Sequence, residues 1–175
     1  MNTVAKIVID TREQNPLVFR KSKIFEGTIS KMLNVGDYSL EGYEDKIAFE
    51  RKEIGDLFGT LGKGHKRFKK ELERAKDYEY FAIIIESPFN LVYEKSYSDA
   101  HYSKMQGHVI ISILCTLILK YGIDVFWCNS RNEASSLIRN MFKSYLRLKD
   151  VAKKNNNLTG TEKSVVFNKG IGRNT

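Results

Sequence analysis

Apolar positions along this chain change their period several times, and each change marks an element. Residues 4–10 (VAKIVID) form a short apolar run, a first strand ending in Asp10. Residues 24–31 fit either a short strand or a helical turn. Residues 33–40 (LNVGDYSL) read as a strand, apolar at Leu33, Val35 and Leu40, with a glycine kink. The polar stretch 41–46 (EGYEDK) suits a hairpin loop, and 47–52 (IAFERK) is the return strand. The period then becomes helical: Ile54, Leu57, Phe58 and Leu61 share one face, and a second helix over 66–76 carries Phe68, Leu72 and Ala75. Residues 80–86 (YFAIIIE) are a continuous apolar run, as expected of a buried central strand, and Pro88 stops it.

Residues 91–99 read as a loop or weak strand containing Tyr93 and Tyr97, whose rings suit packing or stacking on unpaired bases. Ser103 and Gln106 form a capping-box pattern for a helix that runs to Lys120 and ends at Gly122. That helix is apolar nearly all round, so burial on more than one side is expected. Residues 123–128 (IDVFWC) form another strand. Ser130 and Glu133 make a second capping box, followed by a stripe through Ala134, Leu137, Ile138, Met141, Phe142, Tyr145 and Leu146 to about Asp150. From Lys153 the chain is polar and rich in Asn and Gly, a flexible tail. The order of elements predicts an α/β fold, a mixed central sheet flanked by helices, with one domain over 1–150 and a tail over 151–175.

Composition narrows the partners. A net charge of +8 and a pI near 9.4 favour a polyanion. Cys115 and Cys128 lie in apolar segments and read as buried free thiols of a reducing compartment. No signal-peptide pattern opens the chain, and the most apolar run, 108–119, is too short to cross a membrane. The expected location is cytoplasmic or nucleoid-associated, nuclear in a eukaryote, and not secreted.

The candidate chemistry sits in one strand-turn-strand. Successive strand side chains alternate faces, so Glu50 and Lys52 share a face and Arg51 points away. The hairpin partner can bring Asp37 against the Glu50 face. Two carboxylates and one ammonium suit metal-assisted phosphodiester cleavage: Mg²⁺ needs few protein oxygens beside a phosphate. A lysine can then orient water or stabilise developing charge. A salt-bridged surface hairpin has the same local pattern. Asp10 can join as a metal ligand or as a group supporting the ligands. Arg12 suits a bidentate phosphate contact, or an ion pair with a neighbouring carboxylate. Lys63, Lys66, Arg67, Lys69 and Lys70 follow the hairpin directly, either as DNA-backbone contacts or as a solvated face.

Gly36-Asp37, a gap, Glu50-Arg51-Lys52, three residues and Asp56 resemble the GD…ERKxxxD signature of the XPF-type structure-specific endonucleases, within the PD-(D/E)XK nuclease superfamily. Asp10-Thr11-Arg12-Glu13 resembles the same family's D-x-R-E. The resemblance covers about residues 4–150 and implies a restriction-endonuclease-like fold. It implies Mg²⁺- or Mn²⁺-dependent DNA cleavage at branched, flapped or single/double-strand junctions in repair or recombination. Asp37 and Glu50 would hold metal with Asp10, Lys52 would position water, and Asp56 would assist. Arg51 would act at the site or brace its carboxylates, and Glu13 would support it. Arg12, Lys63, Lys66, Arg67 and Lys70 would meet DNA. The family more often has Gln where Glu71 stands, and its last helices form a homodimer or heterodimer interface. A restriction-like or phage-encoded nuclease and a non-catalytic DNA-binding scaffold are the alternatives.

Overall fold

The computed structural model of the protein describes residues 4–94 and 105–159. Its strands are β1 (Ala5–Ile9), β2 (Phe25–Ser30), β3 (Tyr38–Leu40), β4 (Ile47–Lys52), β5 (Tyr80–Ile85) and β6 (Asp124–Trp127). Its helices are α1 (Ile54–Leu61), α2 (His65–Ala75), α3 (Phe89–Glu94), α4 (Gly107–Tyr121) and α5 (Arg131–Thr159). The strands form one sheet in the order β2-β1-β3-β4-β5-β6. β3 pairs antiparallel with β1 and β4, and the other neighbours are parallel, so the sheet is mixed, as expected.

Alternation along the strands divides the core in two. On one face, Ala48, Ile83 and Ile85 meet Leu57, Phe58 and Leu61 of α1, Phe68 and Leu72 of α2, and Ile110, Leu114 and Leu117 of α4. On the other, Ile7, Tyr38, Phe49 and Ile84 meet Ala134, Ile138, Phe142 and Tyr145 of α5. The stripe expected on the last helix is therefore its sheet-packing face. The segment left between strand and helical turn is β2.

Several expectations differ from the structure. Only Tyr38–Leu40 of residues 33–40 is strand. The reason is that partners outside the sheet take the backbone before it: Asp10 and Arg12 bond Leu33, Glu71 bonds Gly36, and Gly36 has φ +73°. The segment after Pro88 begins as helix α3 rather than loop or strand, because proline suits a first turn and Val92 drops into the core. Tyr97 and Ser103 lie outside the described residues. Gln106 is the N-cap of α4 and makes no side-chain cap bond. α4 is buried along one stripe only, leaving Leu119 86% exposed and Cys115 on the outside, while Cys128 is buried. Gly122 closes the helix in the left-handed conformation, as expected. α5 runs to Thr159, past Asp150, because residues 147–154 (RLKDVAKK) are mostly good helix formers added to an existing helix. No described helix is long and apolar enough to cross a membrane.

One close approach controls the α3–α4 corner. A Cβ added at Gly107 would stand 1.7 Å from the Val92 carbonyl oxygen, which is backbone and cannot swing aside. Gly107→Ala is expected to cost about 2–4 kcal/mol by forcing the two helices apart. Urea unfolding checks it; a midpoint equal to wild type would refute the close packing.

Candidate active site at the β3–β4 edge

Strand register builds the site. Ile9 pairs with Tyr38 and Tyr38 with Phe49. Asp10 N–H donates to the Asp37 carbonyl (2.8 Å), and Asp37 N–H to the Phe49 carbonyl (2.9 Å). Tyr38 and Phe49 face α5, so Asp37 and Glu50 face the other way, and Lys52 joins Glu50 two residues on. Gly36 makes the approach feasible: a Cβ there would meet the Phe49 carbonyl oxygen at 2.9 Å. The trio expected from sequence thus gathers on one face.

The Lys52 ammonium is ion-paired with Glu50 and lies 5.7 Å from the Phe68 ring centroid. Arg51 N–H donates to Asp37 Oδ2 (2.8 Å). Burial raises both Asp37 and Glu50 above the ordinary carboxylate range, and Lys52 only partly offsets this. Burial pulls Lys52 down, but Glu50 and Asp37 outweigh it and raise the ammonium above its usual value. Lys52 is therefore a cation at neutral pH. Glu50, Lys52, Asp56, Arg67 and Glu71 line an open cleft of about 590 Å³ over this face, floored by Phe68.

The other expected residues divide. Asp56 and Arg67 stand in the cleft wall. Lys66 and Lys70 are exposed on α2 and Lys63 in the turn before it, all outside that wall. Asp10 is buried and its oxygens are taken: Oδ1 accepts from Arg12 N–H (2.8 Å) and Nε (2.7 Å), Oδ2 from Arg12 Nη2 (3.1 Å) and Leu33 N–H (2.5 Å). In this arrangement Asp10 is a brace and not a free ligand, because four donors satisfy it. Arg12 has the ion pair, yet its side chain remains 59% exposed.

Arg51 points to the opposite face, and there it braces rather than reaches the cleft. Its Nε and Nη2 donate to the two oxygens of Glu86 (2.7 and 2.8 Å), and Nη1 reaches the Asn15 carbonyl (3.2 Å) and Glu13 (3.4 Å). Glu53 completes the cluster. Glu86, the residue after β5, is this buried partner. Burial lowers the Arg51 pKa, but the carboxylates outweigh it and keep the guanidinium charged.

The oxygen set suits a divalent cation. Asp37 and Glu50 place two hard oxygen donors beside one ammonium in a poorly solvated site, and a divalent cation would favour the ionised form of both acids that burial disfavours. Among the described residues no cluster of three or more His, Cys, Asp or Glu stands ready to ligate. A bound ion would keep waters in its remaining positions, as Mg²⁺ usually does.

The ERCC4 domain family model matches residues 9–141, from the end of β1 into α5. The chain belongs to the ERCC4 domain family. Among solved structures it is similar to XPF from Aeropyrum pernix, at 23% identity and TM-score 0.59, over 80% of this chain and 61% of that one. It is similar also to XPF from Aeropyrum pernix in complex with DNA, at 23% identity and TM-score 0.58, over 82% of this chain and 66% of that one. The chain thus spans about two thirds or less of the length of either. The likeness shows the fold. No curated protein matches in sequence.

In this ERCC4 domain, one site residue was missed from sequence. Glu71 appeared only as a departure from the family's Gln, yet its Oε1 accepts Gly36 N–H (2.9 Å) across 35 positions. The available signal was its i+4 spacing from Arg67, which puts both on one helix face. Glu71→Gln keeps the acceptor and should hold stability within about 0.5 kcal/mol, whereas Glu71→Ala should cost about 1–2 kcal/mol by orphaning the Gly36 amide. Equal melting temperatures for the two variants would refute that role.

Proposed function

We propose that this chain is a metal-dependent endodeoxyribonuclease that cuts branched, flapped or single/double-strand junction DNA in repair or recombination. The gathering of Asp37, Glu50 and Lys52 on one sheet face, with Glu50 and Lys52 opening into the cleft that Arg67 also lines, carries the reading. ERCC4 membership supports a DNA endonuclease. The net charge of +8 supports a polyanionic partner.

Asp37 and Glu50 would hold Mg²⁺ or Mn²⁺. When bound, the ion lowers the pKa of a water and neutralises charge on the phosphate. Lys52, held protonated, donates hydrogen bonds to that water or to phosphate oxygen and does not act as a base. Asp56, exposed in the first turn of α1, can orient water at the rim. Arg67 and Arg12 meet phosphate, with Lys63, Lys66 and Lys70 extending the cationic track. Arg51, Glu13 and Asp10 hold the strands that present the acids. Exposed Val109 and Leu119 on α4, and Leu148 and Val151 on α5, support a second ERCC4-type chain, identical or related, as a further partner.

Wild type and Lys52→Ala, assayed with Mn²⁺ on labelled fork, flap and linear duplex DNA, test this. Wild type should cut fork or flap and the variant should be slower by at least about 10²-fold. Equal cutting of linear duplex would move the reading to a restriction-like nuclease, and no cutting by wild type would leave a DNA-binding scaffold.

A further inference from the structure

Three aromatic rings outside the cleft have no role in the proposed chemistry. Phe89 and Tyr93, four residues apart on α3, stack on each other with centroids 5.7 Å apart and planes 15° apart. The edge of Trp127 meets Phe89 at 5.4 Å and 85°. Phe89 is 45% exposed and Tyr93 52%, although Val92, beside them, is fully buried. The pair therefore shows its rings to solvent while its helix is anchored to the core. Rings of this size are the most favourable to bury, so a cluster left exposed calls for a binding role.

Sheet register ties the cluster to the cleft. Lys52 pairs with Ile85, and Ile85 pairs with Trp127. Residues paired in a sheet point the same way, and Ile85 and Trp127 both pack in the core on the Lys52 face. Two strand spacings separate the Lys52 and Trp127 backbones by about 10 Å, the length of about three stacked nucleotides. A strand whose phosphate sits at Lys52 can thus bring a neighbouring base to the rings.

We propose that Phe89, Tyr93 and Trp127 form a stacking platform for an unpaired nucleobase near the phosphate in the Lys52 cleft. This rests on the nuclease reading above and adds the part of the substrate that makes it a junction. A paired base already spends its faces on its neighbours in the duplex, whereas an unpaired base has a free π-face. Stacking is tolerant of base identity, so the platform selects strandedness and not sequence. The rings themselves are uncharged, and among the described residues the cations lining the cleft are Lys52 and Arg67, where the phosphates would run.

Trp127 is the only tryptophan, so its emission reports on the platform alone. With EDTA present to prevent cutting, the full chain is titrated with a 5′-flap DNA and with a blunt duplex of equal charge. The flap should quench Trp127 and the duplex should not. By fluorescence anisotropy of labelled DNA, Phe89→Ala/Tyr93→Ala should bind flap at least fivefold more weakly and duplex unchanged. Tyr93→Ser, at the most exposed ring, should show the same selective loss in smaller measure with an unaltered melting temperature, which covers the case of a misfolded double variant. Equal losses on both DNAs, or none on either, would overturn the platform. A change in molecular mass by light scattering with DNA affinity intact would overturn it too, assigning the patch to a second copy. The nuclease reading fails separately: if wild type cuts nothing but the selective loss remains, the platform stands and catalysis falls.

Discussion

Asp37→Asn is expected to abolish the proposed cleavage and, in the metal-free protein, to raise stability. The expected loss of activity is at least about 10³-fold, because one of two proposed ion-holding carboxylates goes. The stability gain has a different origin. Asp37 is raised to about 6 mainly by burial, so its charged form is destabilised by folding. Asn has the same shape and still offers an oxygen to Arg51 N–H, now 2.8 Å from Asp37 Oδ2. The sign follows from proton linkage. Between the ordinary value of 3.8 and about 6, the folded protein holds more protons than the unfolded one. Its stability therefore falls as pH rises through that window. The variant lacks this loss, so the two proteins should differ little near pH 4 and most above pH 6. One to two kcal/mol corresponds to about 2–8 °C in melting temperature for a chain of this size. Thermal melts in EDTA at pH 4.5 and 8 measure it. A variant less stable than wild type at pH 8 would show that the site is not strained by its own charge.

Arg51→Ala unfolds the protein far more readily without removing anything from the cleft. The guanidinium is 4% exposed and is surrounded by Glu86 at 7%, Glu13 at 10% and Glu53. Removing it leaves these carboxylates, among the described residues, with Arg131 as their remaining cation, 3.4 Å from Glu53 and 3.9 Å from Glu86. Breaking a buried ion pair from one side costs about 3–5 kcal/mol, about 6–20 °C here. Denaturant unfolding and melting temperature read this. Should Arg51→Ala melt like wild type and lose only DNA binding, the side chain is a phosphate contact and the bracing role is wrong.

Much of the site was legible because its signals are local. A two-residue period places Glu50 and Lys52 on one face and Arg51 on the other whatever the rest of the chain does. Gly36-Asp37 before a hairpin brings an acid opposite that face, and both helices after Lys52 declare themselves by period. The positions that sequence left open or passed over depend on how the fold brings partners together. Asp10 is an acid at a strand end either way; Arg12, two residues on, supplies three of its donors, and the fold brings the fourth, Leu33 N–H, from 23 positions away. Glu71 is one more charge on a basic helix until the fold sets it under Gly36. The apolar girth of α4 could not say which side meets the sheet, since periodicity vanishes when nearly every position is hydrophobic.

Composition and order alone were therefore enough to indicate an α/β sheet flanked by helices and the acid–lysine face, and to favour a polyanionic partner, because strand alternation and helix period act over a few residues. Tertiary structure decided which charges are spent on each other and which remain turned toward the cleft. It also set Trp127 in the same row as Lys52, two strands away. Those outcomes come from register and from contacts across 20 to 40 positions, and burial, which sets the pKa values and the ion pairs, exists only once the chain has closed on itself.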